Sequence, residues 1–502
     1  MATITSTFTF GGMDSVGDPA NVGVPDTSLR VQDRAYTACV DLVNFDVDND
    51  FNAIRREGSS QIVAADVTSA WSDGDQAICI SNSVLNTFDG AVLAPSGNSP
   101  TLGATEFVQV NDVVVFSDNA TIGHICDGVT TIISSPSEAI DLLDLETWVK
   151  LTYPEAAISE ASEGNLGIDA FKLTTFAGKC LEFFNGALYL AVDNFIFCTK
   201  TFNIESMDIR YNVVAGFNAP VTMIKGVADG LFVGTEKGTY FLAGSRVHVQ
   251  DESTISVSRG FTQKKILPFG VIYGSAVTVS ADKVELLKTG DLAVTWMTSN
   301  GVYAGGTGGK YVNLTDDKMV MPEVTTIASI VRRQGEAWLY IAASSGGVAV
   351  AVNLKNGFHS RYTSYDFTGF FLLGKQPYGA NSSGIFLLEG DKDNQINDID
   401  AYATTPVADF GVPQLKLCPD AYLHTRTEGD LVLDLFVDEI AVTTGLPFEG
   451  PAVTGVGVRR LRAKLPRGVE GTNWQFKTSN VAGCRCTLFS LKVPPVVSRR
   501  TI

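Results

Sequence analysis

The stretch Phe183-Phe184-Asn185-Gly186-Ala187-Leu188-Tyr189-Leu190-Ala191 sets an Asn-Gly pair between two apolar runs. Such a pair supplies the positive φ that a tight hairpin turn demands, so the stretch predicts a turn feeding a strand. The same device recurs at Asn111-Asp112-Val113-Val114-Val115-Phe116, Asp229-Gly230-Leu231-Phe232-Val233-Gly234 and Asn300-Gly301-Val302-Tyr303-Ala304. Further copies are Gly335-Glu336-Ala337-Trp338-Leu339-Tyr340-Ile341 and Ser383-Gly384-Ile385-Phe386-Leu387-Leu388. Neighbouring copies lie about 35–75 residues apart, against ~40–50 for a four-stranded propeller blade, with longer gaps hiding a weak copy or an insertion. The predicted fold class is all-β, a β-propeller-like repeat body with a smaller C-terminal β domain. A sandwich array is the rival, because divergent copies do not prove radial closure.

Outward from these copies, residues 1–35 are punctuated by Gly, Asp and Pro with little period and are expected to form an extended arm. The propeller-like body is assigned to 36–405. Within it, the acidic segment 136–165 contains Glu138-Ala139-Ile140-Asp141-Leu142-Leu143-Asp144-Leu145-Glu146, whose apolar spacing permits a short helix; it is read as an insertion. Thr404, Thr405, Pro406, Gly411 and Pro413 break the pattern, and a basic β-sandwich-like docking domain is expected over 406–502.

The 502 residues are 45% hydrophobic and 18% charged, which excludes disorder as the main state. The formal net charge of −18 is unevenly spread: residues 451–502 carry ten basic side chains and one acid, Glu470, a net of +9, leaving −27 over residues 1–450. A basic end beside an acidic bulk predicts docking onto an acidic protein surface rather than DNA binding. The residues assigned to that docking are Arg459, Arg460, Arg462, Arg467, Arg499 and Arg500. No apolar run reaches the ~18–20 residues of a membrane span, and the first residues lack a signal-peptide pattern, so a soluble protein made in the cytosol and not inserted into membrane is expected. The eight cysteines sit mostly in apolar runs and read as buried thiols, Cys484 and Cys486 being poorly placed to bond each other.

Candidate chemistry is weighed against turns. Asp46-Val47-Asp48-Asn49-Asp50-Phe51-Asn52-Ala53-Ile54-Arg55-Arg56-Glu57 spaces its acids as a calcium loop does, but Phe51 stands where Gly is needed and two arginines flank the supposed ion. Asp391-Lys392-Asp393-Asn394-Gln395-Ile396-Asn397-Asp398 reads as an Asx-rich turn. Gly305-Gly306-Thr307-Gly308-Gly309-Lys310 lacks P-loop spacing and precedes a strand rather than a helix. Trp71-Ser72-Asp73-Gly74 faintly resembles a sialidase Asp-box in the wrong order. The four histidines, at 124, 248, 359 and 424, form no hydrolytic motif, although carboxylates meeting from distant strands stay open. No catalytic residue, metal site or cofactor is predicted.

In sequence order, several segments together resemble the tail nozzle, tail-hub or packaged-DNA stabilisation proteins of short-tailed bacteriophages. They are Phe10-Gly11-Gly12-Met13, Leu42-Val43-Asn44-Phe45-Asp46-Val47-Asp48, Arg55-Arg56-Glu57-Gly58, Phe183 to Ala191, Gly230 to Gly244, Trp296 to Tyr303, Tyr311 to Thr315, and Arg459-Arg460-Leu461-Arg462 with Gly468, Trp474, Arg499 and Arg500. The resemblance implies a virion protein synthesised in the host bacterial cytoplasm. It implies a homo-oligomeric ring, six copies by analogy, below the portal and its adaptor, contacting other tail proteins and passing packaged DNA without specific binding. A propeller tail protein that binds or processes host-surface glycan is the alternative.

Overall fold

Short apolar runs separated by Asn, Asp and Gly fold as antiparallel meanders. Val67–Ser72, Ala77–Ser81, Val84–Phe88 and Leu93–Pro95 form the first four-stranded sheet in chain order. Similar sheets follow at residues 106–134, 180–216, 221–267, 277–313 and 328–363. A seventh joins Gly369–Leu373, Gln376–Asn381 and Gly384–Leu387 to the distant strand Ser60–Val63. The computed structural model describes residues 6–10, 13, 38–96, 102–126, 128–134, 172–208, 213–244, 260–285, 287, 290–315, 318–319, 324, 326–344, 346–411, 414–450 and 457–497. Among them, the helical pieces are the two 3-10 turns Ala281–Lys283 and Thr307–Gly309, and no helix is long and apolar enough to cross a membrane.

These sheets are the blades of a closed ring. Strands such as Ala77–Ser81, Gly230–Thr235 and Gly301–Gly306 are buried along their whole length, as strands sandwiched between neighbouring sheets must be. Each interval between consecutive blades holds an apolar cluster, for example Phe232 against Trp296 and Tyr303 between blades 4 and 5. The last cluster joins Val67, Cys79 and Phe88 of blade 1 to Phe371, Tyr378 and Ile385 of blade 7, and so completes the circle. Phe371 and Tyr378 stack at 5.2 Å, with Phe88 edge-on to both. The propeller has seven blades, and the sandwich-array rival falls.

The uneven spacing in the sequence has two structural causes. The turns at Asn111, Asn185, Asp229 and Gly335 join first and second strands, whereas Asn300-Gly301 and Ser383-Gly384 join second and third strands of their blades. The insertion predicted at 136–165 lies outside the described residues, between blades 2 and 3. Asn185 and Gly186 take φ of 47° and 78°, as the tight turn requires. Blade 1 escaped notice because its first turn is longer: Asp73 Oδ1 accepts the N–H groups of Asp75 and Gln76 at 2.8 and 2.7 Å.

A two-sheet sandwich is built from both ends of the described chain. One sheet orders Phe45–Val47, Ala53–Arg55, Cys486–Val493, Asp420–Thr427 and Val458–Lys464, with Ser6–Thr9 also paired to Cys486–Val493. The other orders Asp41–Val43, Tyr402–Thr404, Trp474–Asn480, Leu431–Val437 and Ile440–Pro447, and it continues the outer strand of blade 6 through Val43 beside Arg361. Period-2 burial turns Leu431, Leu433, Leu435 and Val437 inward. The expected arm over 1–35 is therefore corrected at its described positions. Ser6–Thr9 is a strand, and Phe8, Phe10 and Met13 are buried in the sandwich core because their apolar side chains have Leu423, Leu491 and Phe476 to pack against. Residues 41–55 likewise belong to this sandwich rather than to the body assigned to 36–405, and its later strands begin at Tyr402 rather than 406.

Arg56 joins the two units. Its guanidinium, 0% exposed, spends all five N–H bonds. Nε donates to Asn44 Oδ1 at 2.9 Å, Nη1 to Glu57 O and Asp393 Oδ1 at 3.0 and 2.9 Å, and Nη2 to Thr363 O and Asp393 Oδ2 at 3.1 and 2.6 Å. The rings of Tyr362 and Tyr365 lie 5.5 and 5.1 Å from its carbon. Arg56→Met leaves Asp393 without its partner and is expected to lose about 3–5 kcal/mol in urea unfolding. Arg56→Lys, which keeps the charge without the fork, is expected to recover only part of that loss.

Candidate functional site

The strand Val458–Lys464 alternates Leu461 and Ala463 into the sandwich with Arg460, Arg462 and Lys464 outward. It pairs with Asp420–Thr427 in a register that sets Arg462 beside Tyr422 and Arg460 beside His424, while Lys492 flanks Tyr422 from the other side. Arg460 covers the Tyr422 ring at 4.3 Å. Arg462 donates through Nε to Asp420 Oδ1 at 2.7 Å, and Lys464 meets Glu449 at 3.1 Å. Two of the cations are thus matched on the spot. Burial first, then repulsion from Lys492 and Arg460, holds the His424 imidazole below its ordinary value.

Of the six arginines assigned to docking, the structure brings Arg460 and Arg462 together on this outward face. Arg459 is half-buried in the alternate position of the strand, and Arg467 is exposed beyond the strand's end. Arg499 and Arg500 lie outside the described residues. Sequence reading missed His424 and Lys492 as members of the face, since only the strand register reveals their adjacency.

A second cluster lies on the innermost strands of the propeller. Glu106 Oε2 of blade 2 accepts the Leu181 N–H of blade 3 at 3.0 Å, and Glu182 Oε1 of blade 3 accepts the Gly226 N–H of blade 4 at 3.0 Å. Ser69 Oγ accepts the Thr105 N–H at 2.9 Å in the same way between blades 1 and 2. Lys225 Nζ lies 3.4 Å from Glu182 Oε2, with 25% of the lysine side chain exposed. A Cβ on Gly226 would come 3.2 Å from Glu182 Oε1, so its absence leaves room for the carboxylate. Burial raises the Glu106 carboxyl above its ordinary value, against the pull of Lys225 and the Leu181 N–H. The sequence signal was slight: a single acid inside Cys180-Leu181-Glu182-Phe183-Phe184.

The remaining motifs resolve into turns and ties. Asp48 Oδ1 accepts the N–H groups of Asp50 and Asn52 at 2.8 and 2.9 Å, an Asx turn in the calcium-like stretch. The Gly308 N–H donates to Asp229 Oδ2 at 2.8 Å, so a carboxylate of blade 4 occupies the amide that the glycine-rich run presents. Asp391 and Asp393 bind arginines at the joint. All eight cysteines are free thiols, and burial pushes Cys79 and Cys418 up to about 12.

Two pH effects follow. Because the folded-state value of Glu106 is raised, its contribution to stability is full at low pH and is lost as pH rises through that value. Glu106→Gln is expected to gain stability on the parent over that window in urea unfolding at a series of pH values. Arg460→Ala is expected to shift the His424 imidazole upward, read by NMR titration of the ring protons.

No family model matches the chain, and no curated protein matches it. Among solved structures it is similar to the extracellular domain of a putative hybrid two-component system from B. thetaiotaomicron, with 11% identity, TM-score 0.39, and coverage of 66% of this chain and 39% of that one. It is similar to PorZ, a bacterial surface component of the type-IX secretion system of Porphyromonas gingivalis, with 13% identity, TM-score 0.36, and coverage of 69% and 42%. The WD40 β-propeller domain of Doa1 gives 10% identity, TM-score 0.37, and coverage of 66% and 96%. This chain spans about two fifths of the length of the first two structures. The seven-bladed fold itself rests on the strand pairing and inter-blade clusters described above.

Proposed function

We propose that the chain is a non-enzymatic structural protein of a short-tailed phage virion, a nozzle or hub subunit whose copies ring the tail axis below the portal and adaptor. The observation that carries this reading is the acidic propeller, with 37 acids against 21 bases over residues 59–401, beside a sandwich face on which Arg460 and Lys492 are unmatched by any ion pair among the described residues. An acidic propeller surface repels phosphates and lets a duplex slide, where basic walls would hold it through counterion release. The basic face supplies the complementary surface for an acidic neighbour in the assembly. The order of the segments that resemble tail nozzle proteins favours the same reading, and six copies follow by analogy.

Cryo-EM of intact particles from the source culture tests this directly. An axial ring of this chain between adaptor and tail tip is expected, and incorporation of an Arg460→Glu, Lys492→Glu variant into particles is expected to fall at least tenfold. A position on peripheral fibres, or absence from particles, overturns the proposal.

A further inference from the structure

Phe202 at 83%, Val129 at 64% and Val92 at 59% are the three most exposed large apolar side chains of the seven blades among the described residues. They stand at the connections between third and fourth strands of blades 3, 2 and 1. In an antiparallel meander those connections share one end of the sheet with the turns between first and second strands. All three therefore lie at the same end of the propeller, on consecutive blades.

Phe202 is held there against backbone preference. Its φ of 57° lies in the left-handed region, which a bulky residue rarely adopts. Its N–H donates to the Gly186 carbonyl at 2.6 Å, and its ring covers Gly186, where a Cβ would come within 3.0 Å of it. An aromatic ring kept in solvent by a strained turn points to a partner that covers it.

The same end is acidic. Residues 67–134, which build blades 1 and 2, hold seven carboxylates and no lysine or arginine. Asp75 and Asp112 are exposed in the first turns of those blades and form no ion pair among the described residues. Asp89, also exposed, accepts the Ala91 and Val92 N–H groups at 2.9 and 2.8 Å and so shapes the turn that presents Val92.

We propose that this end of blades 1 to 3 receives the outward sandwich face of a second copy of the chain. That copy is then the acidic neighbour in the ring proposed above, on which this assignment rests. The two surfaces match in kind. On the sandwich, Val458 is 61% exposed on the same side of its strand as Arg460, with Arg426 opposite it in the adjoining strand. Arg426, Arg460 and Lys492 form no ion pair among the described residues, so cations and an apolar contact meet carboxylates and three apolar side chains. Each copy carries the two surfaces on different units. The contact is therefore head to tail, and successive copies build a ring where the rotation closes.

Sedimentation velocity of the full chain over a concentration series, at ~0.1 M and ~0.5 M salt, tests this. Self-association is expected at the lower salt and is expected to weaken at the higher, where exposed charges are screened. Two double variants each remove one surface: Arg460→Glu with Lys492→Glu, and Phe202→Ser with Asp112→Lys. Each alone is expected to weaken association at least about tenfold. An equimolar mixture of the two is expected to form heterodimers that grow no further, because each variant contributes its intact surface. A parent or a mixture that stays monomeric overturns the assignment, as does association unchanged in either variant. Binding of single-stranded DNA by the parent, lost in Arg460→Glu with Lys492→Glu and without self-association, gives the basic face to nucleic acid and overturns it too. In particle maps, an axial ring whose contacts avoid these surfaces overturns this assignment alone, whereas a peripheral position with self-association intact overturns the ring reading alone.

Discussion

A fully buried guanidinium with every donor engaged sets the relation between propeller and sandwich. Arg56 gathers Asn44 from the sandwich, Thr363 from the outer strand of blade 6 and Asp393 from the hairpin that follows blade 7. Burying that charge is tolerable only because the fork is completely matched and two tyrosine rings cover it. The closing strand of the ring begins four residues later, at Ser60. Gly58 lies between them, where a Cβ would come 2.2 Å from the Lys392 carbonyl. The path of the chain into blade 7 is thus dictated by the same joint.

Around that joint the molecule divides its electrostatics by depth. Asp46, Arg332 and Tyr362 form a buried network in which the tyrosine hydroxyl donates to Asp46. Burial outweighs the arginine's pull and keeps the Asp46 carboxyl above its usual range. Between the propeller blades, Glu106 and Glu182 instead tie one inner strand to the next through backbone amides. The outward sandwich face is the wet counterpart, where Arg462 and Lys464 meet acids at the rim in pairs that contribute little stability.

The propeller was legible because its hairpins depend on local turn chemistry, and Asn185-Gly186 carries that information in two residues. Closure was not, since Ser60–Val63 pairs with Gly384–Leu387 more than 300 positions away and nothing in either strand names its partner. The segment around Phe8 and Phe10 was misread for a similar reason: its glycines signal extension, while its two aromatics acquire a core only through Cys486–Val493. For the docking face, the cations themselves were visible in Arg459-Arg460-Leu461-Arg462. Their compensation by Asp420 and Glu449 was not, because it is set by cross-strand register and a bridge between Glu449 and Arg462. Glu106 and Glu182 offered only isolated acids in apolar runs.

The sandwich has a temporal consequence. The whole propeller is an excursion between its strands Ala53–Arg55 and Tyr402–Thr404, and Phe8 finds its sheet partner at Leu491. At ~5–20 residues per second of synthesis, those early apolar strands wait roughly half a minute to a minute and a half before the strand that covers them exists. The blades can meanwhile form in order, blade 7 once Gly384–Leu387 is made, and the sandwich completes last with Cys486–Val493. The nascent chain therefore spends its synthesis with an unfinished hydrophobic surface at one end, a natural point of engagement for a chaperone.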